Sequence, residues 1–589
     1  MRREILLFFI VLASFFVFYP VRIGQPRDIE QFMVTVNQEP AVFAQDEFAA
    51  CLISNVNTVF MAIISKTNLT ERKIIYFIEV LSVLFLLFIF VRKFTSELWA
   101  ALLFLLFMTF NEFNYAGFHT LFFSYDFSGK FLAGAFVLLT LCFFIERRLW
   151  MAALAQGIAF YLHPGMGIWS LMTIISYRVV EIGVEGIWGA AEKGKKCIEF
   201  IQSTAVFLFV FLLVISPKLC QLLAGGSQEY FIDRETQLNI FKYGFVSQVS
   251  LFLAAQYQQS RVFILGILLT NMIFFILLIQ HFKPGRIAAK LRPVFYFYIG
   301  TLAVVVLNEV LINTFNSHLC VYYGLVRVSG FNFMFLMILL SVMIVEVYRR
   351  RQYTEFFLWV LFMLNYSVLH YRNLSFGIQL GLLACITFVR LTKLFSAMDL
   401  AVERYLKSSK GRNILGKLLT GVCLLITLFI AARYFYKLGV PPDRDVENYR
   451  DAISYVNRNN EKRAVVLYPF DKYGVFFELS KNPGFFSVNY MVLFNVLYQY
   501  DPALQWKAYE KFIQLQQEFG IDTVRDLRKD PYHFDVPWRA AWSEKVDYGF
   551  VERWGKKYDI GYIIREKEYG PLPYKMAYEN DGYRVYRRE

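Results

Sequence analysis

Charge is what this chain has least of. Only 18% of its 589 residues are Asp, Glu, Lys or Arg, where a soluble protein carries about a quarter. Cysteine is also sparse. The seven residues Cys51, Cys142, Cys197, Cys220, Cys320, Cys385 and Cys423 form no CxxC pair, and none lies in the polar C-terminal region. That scatter argues against a disulfide framework and against a thiolate zinc site. The sequence has no P-loop, no dinucleotide-binding glycine pattern, no HExxH and no nucleophile elbow. This argues against a cytoplasmic nucleotide-driven machine and leaves an activated lipid open as the energy source. Internal repeats and low-complexity segments are absent too, whereas transporters often carry inverted repeats.

Apolar and aromatic residues take the place of charge. The chain is 57% hydrophobic and 19% aromatic, with 63 Phe and 37 Tyr. Many apolar runs reach the roughly 20 residues that cross a bilayer. The expected fold class is a polytopic α-helical membrane protein of about thirteen transmembrane helices. The expected spans are 4–20, 73–91, 97–112, 129–145, 149–163, 165–179, 197–216, 261–281, 293–312, 328–347, 354–370, 373–391 and 415–435. The first follows Arg2-Arg3 and precedes no A-x-A-like cleavage site, so it reads as a retained signal anchor. The fifth and sixth meet at His163-Pro164-Gly165, where proline breaks the helix and glycine permits a tight turn.

The net charge of +14 does not point to nucleic acid. Lys and Arg gather in alternate connections: Arg92-Lys93, Arg147-Arg148, Lys193 to Lys196, Lys283 to Arg292, Arg349-Arg350-Arg351 and Arg390 to Lys417. This is the positive-inside pattern. It predicts a multi-pass protein of the cytoplasmic membrane with a cytoplasmic N-terminus and longer outer loops. Ser396–Gly416 reads as a basic amphipathic helix on the inner leaflet, where it would bind anionic lipid.

Composition changes at Pro441-Pro442. Residues 1–437 form the expected membrane domain, and residues 438–589 form a small extracytoplasmic α/β domain, long enough for its own core. Asp445–Asn457 predicts a helix, and Ala464–Tyr468 and Ile560–Ile564 predict buried strands. The segment 578–586 predicts a hairpin around Asn580-Asp581-Gly582.

Four carboxylates follow the first span: Asp28, Glu30, Asp46 and Glu47. A carboxylate at a bilayer surface is well placed to act as a general base toward a lipid-borne substrate. Asp46 and Glu47 also fit the first turn of a helix, where the macrodipole favours acids. Asp126, before the fourth span, suits either an acidic site or an N-cap. His163 suits a phosphate contact, a proton relay or simple packing. Arg327 stands at the outer mouth of a span, against the positive-inside trend, where a guanidinium can grip phosphate bidentately or snorkel to the interface. Arg234, Lys242 and Arg372 are weaker versions of the same idea.

One span, an outer loop opening on Asp28-Ile29-Glu30-Gln31-Phe32, many further spans and an outer α/β domain: this order resembles the GT-C superfamily of integral-membrane glycosyltransferases. Glu39 to Asp46, His163-Pro164, Arg327 and Tyr578 to Tyr583 are similar to a poorly characterised bacterial branch of it. The resemblance implies an inverting transferase. Its donor would be a sugar on a polyprenyl phosphate, and its acceptor a glycan, lipid or protein. Asp28 would be the base, Glu30 its partner or a metal ligand, and Asp46 a second acidic site. A divalent metal, Mg or Mn, is an open possibility. Two other classes compete. A polysaccharide polymerase or ligase would lean on outer Arg and His residues. A lipid or glycan transporter would form no covalent product.

Overall fold

The computed structural model describes residues 35–36, 39, 41–43, 46, 63, 66–67, 69–95, 98–110, 129–188, 193–225, 242, 273–278, 280–281, 290–315, 317, 320, 324–368, 373–392, 396–407, 444–472, 475–476, 479–486, 502–529 and 535–588. Within them the chain is mostly helical. A membrane-embedded bundle precedes a small C-terminal sheet.

The bundle helices are α1 (Leu69–Phe94), α2 (Leu98–Phe110), α3 (Gly129–Ile145), α4 (Leu149–Leu162), α5 (Pro164–Trp188), α6 (Lys193–Gly225), α7 (Arg292–Phe315), α8 (Ser329–Arg349), α9 (Tyr353–Val368) and α10 (Asn373–Thr392). Large apolar side chains remain exposed around them, including Phe85, Phe209, Leu307 and Leu391. A helix that is apolar all round belongs in lipid. Among the described residues, four helices are long and apolar enough to cross a membrane: Thr70–Phe94, Pro164–Val184, Arg292–Phe315 and Ser329–Arg349. Five shorter apolar helices accompany them. The expected spans at 4–20 and 415–435 lie outside the described residues.

Aromatic rings fix how α5, α7 and α8 meet. Tyr177 stacks on Phe297 at 4.2 Å, and Phe297 on Phe335 at 4.6 Å. Gly300 makes the approach possible. A Cβ there would stand 2.7 Å from the Ser176 carbonyl carbon, so only glycine fits. The α3–α4 turn sits beside the end of α1, where Lys93 pairs with Glu146. Two buried ionic groups lie deeper. Arg178 pairs with Glu181 on α5, and Arg390 of α10 reaches Glu355 of α9 at 2.6 Å.

Helix α11 (Ser396–Lys407) is the described part of the expected amphipathic segment. Its two acids hold it to the bundle. Asp399 accepts from the Thr354 amide and hydroxyl at 2.9 and 2.8 Å, and Glu403 pairs with Arg351. Met398 and Leu400 stay exposed.

The terminal domain runs α12 (Arg444–Asn459), β1 (Val465–Leu467), α13 (Pro502–Phe519), α14 (Thr523–Lys529), α15 (Asp535–Lys545), α16 (Tyr548–Tyr558), β2 (Ile560–Glu566), β3 (Lys575–Glu579) and β4 (Tyr583–Arg587). The strand order is β1-β2-β4-β3. The β1–β2 pair is parallel, which requires the long helical crossover between them. The other pairs are antiparallel. The expected hairpin is present. Asn580 Oδ1 accepts from the amides of Gly582 and Tyr583 at 3.1 and 2.9 Å and so closes the turn. The core is aromatic: Trp538 stacks on Phe470 and Phe512 and meets Phe519 edge-on.

That core reaches beyond the C-terminal segment. Val36 and Phe43, from the loop expected to follow the first span, are fully buried within it. The core therefore crosses the boundary drawn from composition.

Candidate functional site

The first candidate region is the loop that carries Asp46. Segment 483–485 lies beside β1: Val466 donates to the Pro483 carbonyl at 2.9 Å, and Phe485 donates to the Val466 carbonyl at 3.0 Å. Gly484 sits between these bonds, so its amide points away from the sheet. A bare edge amide must find an acceptor. Asp46 Oδ2 accepts it at 3.0 Å, and Asp46 is only 2% exposed. Glu39 adds a looser contact with Arg463 at 3.7 Å. The structure thus sets Asp46 in the seam between loop and terminal domain, where one carboxylate oxygen closes a sheet edge.

The second region lies at the start of α5. His163 is the single extended residue between α4 and α5, with φ −156° and ψ 100°. Pro164 occupies the first helical position, where its missing amide hydrogen costs nothing. His163 then acts as the N-cap: its Nδ1 accepts from the Met166 amide at 3.0 Å. An accepting Nδ1 makes the ring neutral with its proton on Nε2. Gly165 leaves room for this. A Cβ there would stand 3.0 Å from both His163 Cε1 and the Trp169 ring.

Arg327 comes to the same place from another part of the chain. It lies in a short 3-10 turn, Leu325–Val328, that leads into α8. Its guanidinium carbon is 4.7 Å from the Trp169 ring centre, and the His163 ring is 5.8 Å from that same indole. Trp169 is buried and is the ring that both the Arg327 guanidinium and the neutral His163 imidazole approach. A guanidinium over an indole is attracted through its planar face. The arrangement thus gathers a guanidinium and an imidazole around one indole at this end of the bundle.

Helix α7 runs opposite to α5 and α8, so its Phe315 end lies near this cluster. There Lys242 donates to the Ile312 carbonyl at 3.4 Å, with Arg528 of α14 as its charged neighbour. The terminal domain thus adjoins the His163 end of the bundle.

Of the residues singled out from sequence, His163 and Arg327 are brought together, and Asp46 is engaged elsewhere. Asp28, Glu30, Glu47, Asp126, Arg234 and Arg372 lie outside the described residues. Among the described residues no group of three His, Cys, Asp or Glu could hold a metal ion. Asp46 does not suit that use, because its Oδ2 is already committed to Gly484. Sequence reasoning missed Trp169. The signal was present in Pro164-Gly165-Met166-Gly167-Ile168-Trp169, where two glycines beside a helix start mark a crowded turn. It also missed Arg178–Glu181, an i,i+3 pair inside an apolar helix.

No protein-family model and no curated protein matches this chain.

Proposed function

We propose that this chain is a membrane glycosyltransferase. It moves a sugar from a polyprenyl-phosphate donor to a glycan, lipid or protein acceptor on the extracytoplasmic face. The observation that carries the reading is the Arg327–Trp169–His163 cluster at the bundle end adjoining the terminal domain. A leaving polyprenyl phosphate gathers charge at the membrane surface as the glycosidic bond breaks. Fixed donors aimed at that charge lower the barrier. Arg327 supplies a planar cation, and His163 supplies the Nε2–H. In this reading Asp28 takes the acceptor hydroxyl proton, a role drawn from the resemblance. A single displacement inverts the anomeric carbon.

The test is incubation of the purified protein with a panel of polyprenyl-phosphate sugars, measuring released polyprenyl phosphate. Release is expected from at least one donor, with about a hundredfold slower turnover in Arg327→Ala. Absence of release from every donor overturns the reading. A second reading, polysaccharide polymerase or ligase, is favoured by one fact: the cluster is built from Arg and His, while Asp46 closes a sheet edge. Asp28→Asn separates the two. Lost release supports the transferase, and retained activity supports the polymerase or ligase.

A further inference from the structure

Gln156 lies on α4, about two helical turns before His163. It is fully buried, and so is Ser170 near the start of α5, the helix that His163 caps. Polar side chains inside a membrane bundle are costly and call for a reason. These two are satisfied by each other and by two backbone carbonyls. Gln156 Nε2 donates to the Gly167 carbonyl at 2.5 Å and to Ser170 Oγ at 2.8 Å. Ser170 Oγ in turn donates to the Met166 carbonyl at 2.7 Å.

Those carbonyls belong to the two residues whose amides hold His163. The Met166 amide donates to His163 Nδ1 at 3.0 Å, and the Gly167 amide donates to the His163 carbonyl at 3.2 Å. The peptide unit between Met166 and Gly167 is therefore bonded at both ends, to His163 through its N–H and to Ser170 through its oxygen. The first amides of a helix have no acceptor within it, so the first turn is the part that shifts most easily. His163 alone separates α4 from α5, so rotation of one helix on the other would swing its ring. Gln156 ties the two helices across that corner. Gly167 lets them come close enough, because a Cβ there would stand 2.8 Å from the Phe160 Cα. Bonds that served only to join the helices could fall anywhere along them. These fall on the turn that holds His163.

We infer that Gln156 is a positioning residue for His163, keeping Nδ1 on the Met166 amide and the ring proton on Nε2. The inference rests on the reading of His163 as a donor to the leaving phosphate, but its main test needs no transfer. The full-length protein, isotope-labelled at its histidine ring nitrogens and held in lipid nanodiscs, is measured by solid-state nuclear magnetic resonance. The spectrum of His163→Gln identifies the His163 signals. Wild-type His163 is expected to carry its proton on Nε2. Gln156→Leu keeps the volume and removes the donors. It is expected to raise the share of the Nδ1–H form about tenfold, the effect of weakening one hydrogen bond. Ser170→Ala changes the volume less, keeps the fold even if Gln156→Leu does not, and is expected to move the same signal in the same direction. Thr140→Val removes a buried hydroxyl that bonds to the Phe136 carbonyl within α3, and is expected to leave His163 as it is. An Nδ1–H form dominant in the wild type, an unchanged His163 signal in either folded variant, or an equal change in Thr140→Val overturns the inference. Polyprenyl-phosphate release is measured on the same samples and is expected to fall about tenfold or more in Gln156→Leu. Unchanged release there, from a donor that the wild type turns over, also overturns it. A shifted His163 signal with no release from the wild-type protein supports the positioning and counts against the transferase reading alone.

Discussion

In the bundle, several buried charges meet other charged or titratable side chains. Arg390 lies against Glu355 at 2.6 Å and His281 at 3.3 Å, His281 lies against Glu346 at 2.9 Å, and Arg178 pairs with Glu181. In the terminal domain, some acids and amides meet backbone amides as well, at a sheet edge, a helix start and a turn. Asp46 takes the Gly484 amide, Asp547 takes the Phe550 amide at 2.8 Å, and Asn580 closes a hairpin. The cause lies in the backbone. A membrane helix satisfies its own peptide groups, so a charge brought inside must find a charged partner. A small α/β domain has many chain ends and a sheet edge, and short polar side chains fill those places.

The sharpest way to test that contrast is to orphan one charge in the bundle. Glu355→Ala leaves Arg390 buried beside Trp359 without its carboxylate, at a cost of about 3–5 kcal/mol. Helical circular dichroism on heating should show an earlier bundle transition. The double change Glu355→Leu with Arg390→Met should recover most of it, because replacing a whole buried pair with apolar groups is often close to neutral.

The matching change in the terminal domain is Trp538→Ala. Trp538 is fully buried, and its Nε1 donates to Thr523 Oγ1 at 2.9 Å. The cavity costs about 3–5 kcal/mol. Limited proteolysis should then cut the terminal domain while the bundle stays intact. Simultaneous loss of both bodies would mean that the contrast is one of chemistry only and not of separate folding units.

Asp46→Ala acts at the join. It strips the Gly484 amide of its acceptor and costs about 1–3 kcal/mol. Hydrogen exchange at Gly484 should rise while the bundle is unaffected. If turnover falls in Asp46→Ala with no change in exchange, Asp46 serves chemistry and not the sheet edge.

The smallest effect is acidic. Asp445 is partly buried, which works against its charge, but hydrogen bonds from Lys472 and Tyr583 and the Lys472 charge outweigh burial and lower its pKa below the usual 3.8. A lowered folded pKa stabilises the domain fully above the unfolded value. That stability fades as the pH falls through the folded value. The terminal domain should therefore lose stability below about pH 4. Asp445→Asn should flatten that limb of the stability curve while the bundle transition stays put.

Much of the terminal domain was legible one segment at a time. The helix at Arg444–Asn459, the buried β1 and β2 and the Asn580 turn follow from patterns within a few residues. The break at His163-Pro164 was equally local. The role of His163 as a cap was readable in principle, because a polar residue before a proline at the first helical position suits a cap. Two other features were not legible. Asp46 finds Gly484 across 438 residues of chain. Arg327 finds Trp169 only because α5 and α8 share α7 as a neighbour. No periodicity encodes which distant amide a carboxylate will meet.

The sequence by itself determined that apolar runs form helices suited to lipid, that charge gathers at their ends, and that a polar segment with strand and turn signals follows. These are consequences of side-chain solvation and local backbone preference, which act over a few residues. Only the tertiary structure decided that Asp46 closes a sheet edge while His163 and Arg327 share an indole. Long-range pairing depends on which surfaces pack together, and packing is a property of the whole chain.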